Sequence, residues 1–389
     1  MLKCALISGK GMGLNHGGNF HRHPDAEVVA VCDMDPTLLA KAKEELGVEA
    51  GFASIDEMIA GADFDLALLI TNETRRIPRL RKTAPKALKA TATDAWLLAA
   101  DQLLAAGKNV FTEKPLCGLE GQFRVQESDA AVAAPAIKEW RESGLAFGIN
   151  YNYRFFRHFQ KLHEDVVEGR LGKLRIVRAR AHFNCWSHVI DQILWSMGRP
   201  EWVSVLGDPT EQGGWSRMIR MMWPNGVMGQ LDGSNLWGYD DHPLRVMIVG
   251  ETACAEARGL DGWYRRCKGG SWPTEVEEQW EVEEGVREYQ ESFARMADGV
   301  IKAMAAGQPG TSWASRPPST APPATTAPAS GSTTSRPTRW PRPDPRLNQD
   351  ARPSSATGSA SSCPRLPLNS SRCSSVGTRA ATLQRRGPE

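Results

Sequence analysis

The chain has 389 residues, of which 41% are hydrophobic and 24% are charged, and its formal net charge is +2. This length allows two globular domains that each bury a core, and so small a net charge by itself calls for no acidic partner such as a nucleic acid. No apolar run is long enough to span a bilayer, which excludes a helical membrane span.

Two further features indicate the compartment. Lys3 is followed directly by an apolar segment, so we expect no signal peptide. The eight cysteines form no Cys-x-x-Cys pair, and several lie within apolar segments. Reduced thiols in a cytoplasmic protein are the simplest interpretation.

A glycine-rich turn follows the first predicted strand, residues 2–7. It is predicted to bind the pyrophosphate of a dinucleotide through Gly9, Gly11, Met12 and Gly13. In the G-x-G-x-x-G pattern the glycines let the backbone turn tightly, approach the pyrophosphate and pack the helix on the strand. Gly9 and Gly11 match the first two positions, whereas Leu14 occupies the third and Gly13 comes one residue early.

The second predicted strand, residues 28–33, ends in Asp33. A carboxylate at this place suits the two ribose hydroxyls of NAD and would repel the 2′-phosphate of NADP. Met34 and Asp35 follow, with no arginine to bind that phosphate. The sequence therefore favours NAD over NADP.

Three histidines, His16, His21 and His23, lie in or just beyond the first predicted helix. We expect them to be solvent-exposed side chains near the helix end rather than ligands of a metal ion.

The next predicted elements are a helix over 36–46, the start of another at 56, and a buried strand over 64–70. The basic segment, residues 72–98, follows and carries seven Arg and Lys residues between positions 75 and 89. No aromatic residues alternate with these charges, so we interpret this part as a solvated insertion rather than a nucleic-acid patch. A helix is predicted over 91–102.

A short apolar strand around Val110 and Phe111 ends at Glu113-Lys114-Pro115. Proline cannot continue a sheet ladder and restrains the residue before it. Lys114 is therefore expected at the carboxyl end of a parallel strand, where open α/β sheets bind their ligands. A helix over 121–143 and a strand over 146–150 complete a predicted dinucleotide-binding domain, residues 1–150.

Residues 151–310 form a second predicted domain for substrate binding and oligomerisation. Alternating apolar and polar residues predict strands at 173–183, 202–206, 218–223, 227–232, 244–249 and 276–282. Helices are predicted at 159–168 and 188–197. Tyr153 and Arg154 lie at the junction of the domains, where ligands commonly bind, and are predicted to contact a polyol.

These pieces, in this order and spacing, resemble one family over residues 1–310. They are the glycine turn, the strand ending at Asp33, residues 105–108 leading into Glu113-Lys114-Pro115, the run Asn-Tyr-Asn-Tyr-Arg-Phe at 150–155, and His188-Val189-Ile190-Asp191. The family is that of glucose-fructose oxidoreductase, inositol dehydrogenase and rhizopine catabolism proteins (Gfo/Idh/MocA). The resemblance implies an α/β fold, with an N-terminal Rossmann domain and a C-terminal α+β domain built on a large open, mostly antiparallel sheet. The uncovered face of that sheet commonly forms the interface of a homo-oligomer, so a dimer or tetramer is expected.

The resemblance also implies an activity. Members of this family transfer a hydride between a nicotinamide cofactor and a secondary alcohol or ketone of a sugar, cyclitol or related polyol. In the family pattern His188 takes the substrate hydroxyl proton, Lys114 stabilises the developing alkoxide and Asp191 orients. Asn184, where the family usually has Asp, would bind the sugar together with Tyr153, Arg154 and His188. Glu113 and Lys114 would also border the cofactor.

The sequence departs from the family pattern at several places, which leaves two other interpretations open. Residues 71–74 replace the usual Thr-Pro pair, and Leu98 stands where a histidine is expected. Together with Leu14 and Asn184, these departures allow a non-catalytic, dinucleotide-sensing or inactive member. The spacing His182-x-x-Cys185-x-x-His188 allows a zinc-dependent alcohol dehydrogenase, but because a hydride mechanism needs no metal we expect none.

The C-terminal tail, residues 311–389, differs from the rest in composition. It holds 13 of the 25 prolines and eleven arginines but no Lys, Ile, Phe, Tyr or Met. Low hydrophobicity with many prolines predicts disorder. Arginine as the only basic residue is also what a GC-rich gene read out of frame would give, so we hypothesise a frameshift near Gly310.

Overall fold

The structure is a computed structural model, and it describes residues 1–70, 92–116, 127–207, 216–235, 244–271, 273–283 and 286–307. For residues 92–98, 127, 128, 132 and 136 only the backbone is described. The predictions for most of the basic segment, for the Leu98 side chain and for the C-terminal tail therefore lie outside the described residues.

The first sheet has six strands, all parallel, in the order β3-β2-β1-β4-β5-β6. The strands are β1 (Leu2–Ile7), β2 (Ala26–Cys32), β3 (Gly51–Phe52), β4 (Leu66–Leu69), β5 (Asn109–Glu113) and β6 (Phe147–Asn150). This is the doubly wound order of dinucleotide-binding domains, and it confirms the Rossmann prediction. The central strands are apolar runs because helices cover both faces of such a sheet; all four residues of β4 are buried.

Within the described residues, five helices connect these strands: α1 (Met12–His21), α2 (Pro36–Leu46), α3 (Ile55–Gly61), α4 (Ala92–Ala105) and α5 (Glu127–Ser143). Their limits follow local chemistry. The Asp35 side chain caps α2 by accepting the N–H of Thr37, and Gly47 ends that helix in the left-handed conformation. The Ser54 hydroxyl caps α3 in the same way, by accepting the N–H of Glu57.

The second sheet has eight strands in the order β14-β13-β12-β11-β7-β10-β9-β8. They are β7 (Leu174–His182), β8 (Trp202–Leu206), β9 (Ser216–Met222), β10 (Met228–Ser234), β11 (Arg245–Gly250), β12 (Ala253–Arg258), β13 (Trp263–Lys268) and β14 (Val276–Glu281). Neighbours are antiparallel except β7 and β10, which confirms the large, mostly antiparallel sheet. The sequence did not predict β3, β12 or β13.

One face of this sheet is covered by α6 (Arg157–Val167) and α7 (Trp186–Met197), preceded by two single 3-10 turns, Asn152–Phe155 and Phe183–Cys185. The inward residues of β7 are small, because Val177, Ala179 and Ala181 pack beneath the helices. α7 begins two residues earlier than the predicted helix. On the opposite face of the sheet, Trp202 of β8, Met222 of β9 and Met228 of β10 lie beside one another in register. All three side chains are exposed.

A last helix, α8 (Glu288–Ala305), was not predicted and packs against the first sheet's helix layer. Phe293, Met296 and Val300 lie in one core cluster with Phe20 and Phe111. Its first residue, Glu288, is fully buried and accepts the N–H of Arg157 at 2.5 Å and a guanidinium N–H of Arg295 at 2.6 Å. The helix therefore ties the second half of the chain back to the first.

Two general features complete the description. No helix in the described part of the chain is long and apolar enough to cross a membrane. The five cysteines within the described residues are free thiols. The domain limits at residues 150 and 310 stay predictions.

Candidate active site at the carboxyl edge of the parallel sheet

The glycine turn between β1 and α1 leaves no room for side chains at two positions. A Cβ on Gly9 would lie 2.3 Å from the carbonyl oxygen of Leu38, and one on Gly13 would lie 2.5 Å from that of Ser8. Gly11 has a φ of +51° and precedes the first residue of α1. Gly13 thus provides the close helix–strand contact that the sequence pattern assigned to position 14.

Asp33 lies beside this turn, directly after β2. Its Oδ2 accepts the N–H of Gly9 at 2.8 Å, and its Oδ1 accepts the N–H of Asp35 at 2.9 Å. Met12 is exposed at the start of α1. A backbone turn without side chains, a helix N-terminus and an acid at the end of the second strand together fit the pyrophosphate and ribose of a dinucleotide.

Glu113, the last residue of β5, is the centre of a buried polar cluster that the sequence did not predict. Its Oε1 accepts a hydrogen bond from His16 Nε2 at 2.7 Å and another from Asn150 Nδ2 at 2.6 Å. The expectation that His16 is exposed is wrong: this side chain is fully buried. The reason is that α1 turns this face toward the sheet, where the carboxylate of β5 gives the imidazole a partner.

The charge of Glu113 depends on these donors. Burial acts to raise the pKa of Glu113, but the hydrogen bond and charge of His16 and the hydrogen bond from Asn150 lower it below its ordinary value. Lys114 follows at the carboxyl edge of the sheet, half-buried, and its backbone N–H donates to Glu113 Oε2 at 3.1 Å. The peptide between Lys114 and Pro115 is cis.

His188 lies in the first turn of α7 and is buried. Its ring stacks on Tyr153 with centroids 4.2 Å apart, and the edge of Tyr151 contacts it at 6.0 Å. Its Nδ1 is buried and makes no hydrogen bond to any described residue. Burial, and then the charge of Lys114, lower the pKa of His188 to about 3, with Glu113 opposing. The imidazole is therefore neutral at neutral pH.

Tyr153 is placed beneath His188 rather than at an open surface. It is almost completely buried, and its hydroxyl donates to Cys185 Sγ at 3.2 Å. This favours a packing role for Tyr153, and its predicted contact with a polyol stays a prediction. Tyr151, which the sequence did not single out, borders the site, and burial together with the charge of Asp191 raises its pKa to about 12.

Asp191 and Arg154 form a buried ion pair. Arg154 Nε donates to Oδ2 at 2.6 Å and a terminal nitrogen donates to Oδ1 at 2.5 Å, and the guanidinium also lies over the Trp195 ring. Burial raises the pKa of Asp191, against the opposing effect of Arg154. Both carboxylate oxygens thus hold Arg154, so Asp191 would orient the site through this arginine rather than through His188.

Asn184 is exposed in the turn before α7, and its backbone N–H donates to His182 Nδ1 at 3.2 Å. Within the described ranges no three His, Cys, Asp or Glu side chains come together as a metal site. The zinc interpretation of His182, Cys185 and His188 therefore gains no support from this geometry.

Glu113 and Lys114 both interact electrostatically with His188. The charge of Lys114 lowers the pKa of His188, and the charge of Glu113 raises it. The site members that sequence reasoning missed, His16, Asn150 and Tyr151, had weak signals. Asn150 and Tyr151 belong to the junction run at 150–155, and His16 lies in α1, three residues beyond Gly13.

The comparisons with known proteins agree with this geometry. The model of the oxidoreductase family with an NAD-binding Rossmann fold, Gfo/Idh/MocA, matches residues 2–136. Myo-inositol 2-dehydrogenase of Thermotoga maritima is 28% identical over 177 residues, which are 46% of this chain and 44% of that protein. The chain thus matches less than half the length of this curated relative.

Solved structures share the fold over more of the chain. An oxidoreductase from Agrobacterium radiobacter, in complex with NAD+, L-tartaric acid and magnesium, is 16% identical with a TM-score of 0.61, covering 80% of this chain and 92% of that one. A putative myo-inositol dehydrogenase from Sinorhizobium meliloti 1021 is 18% identical with a TM-score of 0.59, covering 81% and 93%. The Rossmann strand order and the glycine turn thus agree with the family match, and residues 2–136 match the Gfo/Idh/MocA oxidoreductase family with its NAD-binding Rossmann fold.

Proposed function

We propose that this protein is an NAD-dependent dehydrogenase or reductase that acts on a secondary alcohol or ketone of a sugar, cyclitol or related polyol. The observation that carries the proposal is the buried neutral imidazole of His188 near enough to Lys114, which follows the last residue of β5, for the lysine charge to act on it. The inositol dehydrogenase relative and the family match support the substrate class.

The glycine turn and Asp33 would hold the cofactor. Gly9 and Gly13 let the backbone approach the pyrophosphate, and the Asp33 carboxylate would accept hydrogen bonds from ribose hydroxyls in place of the N–H of Gly9. Its negative charge disfavours the phosphate of NADP. When bound, NAD supplies the acceptor for the hydride that leaves the carbinol carbon.

The residues of this chain manage the proton. His188 accepts the substrate hydroxyl proton through its neutral imidazole ring. The ammonium of Lys114 stabilises the developing alkoxide charge before that proton has left completely. Asp191 keeps Arg154 fixed beneath the site, and Asn184 offers an amide to a sugar hydroxyl.

The experiment is a turnover screen of the purified chain with NAD+ and a panel of cyclitols and sugars that includes myo-inositol. Turnover is monitored by the absorbance of the NADH formed. We expect turnover of at least one polyol, and tighter binding of NADH than of NADPH by calorimetry. Asp33→Asn should reduce the difference in affinity between NADH and NADPH, because the substitution removes the charge that repels the 2′-phosphate of NADPH. Equal binding of both cofactors would contradict the role of Asp33.

One observation favours a second candidate, a non-catalytic dinucleotide sensor. Asn184 carries an amide where the family pattern has a carboxylate, and an amide cannot accept a proton. His188→Ala separates the candidates. A dehydrogenase loses turnover and keeps NADH binding, whereas a sensor has no turnover to lose and binds NADH in both forms.

We further propose a homo-oligomer, dimer or tetramer, that forms through the uncovered face of the second sheet. Trp202, Met222, Met228, Ile176 and Val249 lie in register on neighbouring strands of that face. An apolar row of this length favours burial against a second copy. Light scattering of the protein and of Met228→Arg, which places a charge in the row, tests the proposal. Besides a second copy of this chain, we propose small-molecule substrates as the binding partners. We also propose a cytoplasmic location.

A further inference from the structure

The buried His16 makes its polar contacts through one ring nitrogen, Nε2, which also lies 3.5 Å from Asn150 Nδ2. Its Nε2 donates to Glu113 Oε1 at 2.7 Å, while its Nδ1 has no partner among the described residues. The edges of two aromatic rings enclose the imidazole, Phe111 from β5 at 5.8 Å and Phe293 from α8 at 5.3 Å. A buried polar ring in apolar surroundings is costly unless its hydrogen bond is made. The bond to Glu113 is therefore what the site gains from this residue.

Glu113 passes this restraint to the next residue in the chain. His16 and Asn150 hold Oε1 from α1 and β6, and the backbone N–H of Lys114 donates to Oε2 at 3.1 Å. Two separate elements, α1 and β6, thus fix the orientation of one carboxylate, and that carboxylate accepts the backbone N–H of Lys114 where β5 ends.

The same carboxylate sets the charge around His188. Glu113 and Lys114 act on the imidazole with opposite signs. Burial alone would favour the neutral form of Glu113, and the donors His16 and Asn150 keep it ionised. Loss of the His16 donor would therefore weaken both the position and the charge of the group beside Lys114.

We propose that His16 is a positioning residue of the active site, which holds the Glu113 carboxylate so that Glu113 in turn fixes Lys114 at the carboxyl end of β5. His16 does not touch the reacting atoms; it acts through Glu113. The inference rests on the proposed function, because Lys114 is the group being positioned.

The test compares three variants of the full chain. His16→Met removes the donor and keeps an apolar side chain of adaptable shape. His16→Gln keeps a donor, since its amide nitrogen can reach the place of Nε2. His158→Met is the matched control, because His158 is also fully buried but bonds the carbonyl of Gly259.

The first readout is kinetic. We expect His16→Met to lower kcat by about 10- to 100-fold, the cost of a small misplacement of a catalytic group, with NADH affinity and KM nearly unchanged. His16→Gln should recover most of kcat, and His158→Met should keep it. The inference is overturned if His16→Met keeps kcat, if NADH affinity falls while kcat does not, or if His16→Gln is as impaired as His16→Met.

The second readout needs no turnover. The rate of Lys114 acetylation by acetic anhydride is followed by peptide mass spectrometry, with the exposed Lys302 as internal reference. His16→Met should speed Lys114 labelling several-fold relative to Lys302, because the end of β5 that carries Lys114 loses a fixed hydrogen bond to Glu113 and is held less firmly; His158→Met should not. Equal Lys114 labelling in His16→Met and the unsubstituted chain overturns the inference. If the unsubstituted chain turns over no polyol yet this difference appears, the proposed function fails and the positioning of Lys114 by His16 stands.

Discussion

The ion pair between Arg154 and Asp191 predicts a large loss of stability when one partner is removed. The side chains are only 7% and 10% exposed, and two hydrogen bonds of 2.5 and 2.6 Å join them. Asp191→Asn leaves a buried guanidinium without its counter-charge, and breaking a buried pair in this way costs about 3–5 kcal/mol. With an m-value of about 2–3 kcal/mol per molar urea, the unfolding midpoint should fall by about 1–2 M.

The assay is urea unfolding followed by tryptophan fluorescence, with two comparisons. Glu142→Gln makes the same chemical change in the exposed pair with Lys138, whose side chains are 65% and 77% exposed, and should cost no more than about 0.5 kcal/mol. The double variant Arg154→Leu/Asp191→Leu should be less destabilised than the sum of its single variants, because neither charge is left alone. A cost below about 1 kcal/mol for Asp191→Asn, or strictly additive effects, would refute the reasoning.

Three further predictions concern the catalytic lysine, the glycine turn and a buried histidine. Lys114→Ala should lower turnover by about 10²- to 10³-fold with NADH affinity little changed, as kinetics and calorimetry would measure, and retained turnover would contradict its role. Gly13→Ala should weaken NADH binding and lower the free energy of unfolding in urea by about 1–3 kcal/mol, since its Cβ would lie 2.5 Å from a backbone oxygen of Ser8. Unchanged NADH binding would contradict the role of the glycine turn. Burial lowers the pKa of His158 to about 3 from an ordinary 6.5, so below pH 6.5 the unfolded chain binds a proton that the folded chain does not, and the free energy of unfolding decreases as the pH is lowered from 6.5 to 3. His158→Met should therefore reduce the slope of unfolding free energy against pH by about 1.4 kcal/mol per unit between these values, and an unchanged slope would show that His158 does not contribute.

The first sheet, except its two-residue strand β3, could be predicted from the sequence because buried parallel strands are continuous apolar runs. β1 and β4 are of this kind, and Pro115 and Asp33 mark where neighbouring strands end. The strands β12 and β13 were missed because their outward side chains are charged. Arg245 and Glu256, for example, pair across β11 and β12, and such a partner makes an acid in mid-strand favourable.

The site could be predicted only where local spacing carries the signal. Lys114 and His188 follow from motifs, whereas the bond between His16 and Glu113 joins residues 97 positions apart and leaves no local pattern. The helix α8 did have a signal, since Phe293, Met296, Val300 and Ile301 repeat with helical spacing. Its contribution to the enclosure of His16 could not be read from that pattern.

The displacement of the third glycine has a simple physical cause. The requirement is space between α1 and β1, and in this chain α1 begins at Met12, so Gly13 meets the carbonyl of Ser8. The spacing of a motif records this contact only indirectly. A helix that starts one residue earlier moves the glycine with it.

The most direct test of the central claim, hydride transfer governed by Lys114 and His188, uses polyols deuterated at the carbinol carbons. The protein is incubated with NAD+ and the deuterated panel, and the reduced cofactor is examined by mass spectrometry. We predict one deuterium in the NADH formed, and formation of deuterated NADH that is slower by about 10²-fold or more with Lys114→Ala or His188→Ala, both of which should still bind NADH. NADH without deuterium, or equal deuterium transfer by the variants, would contradict the mechanism.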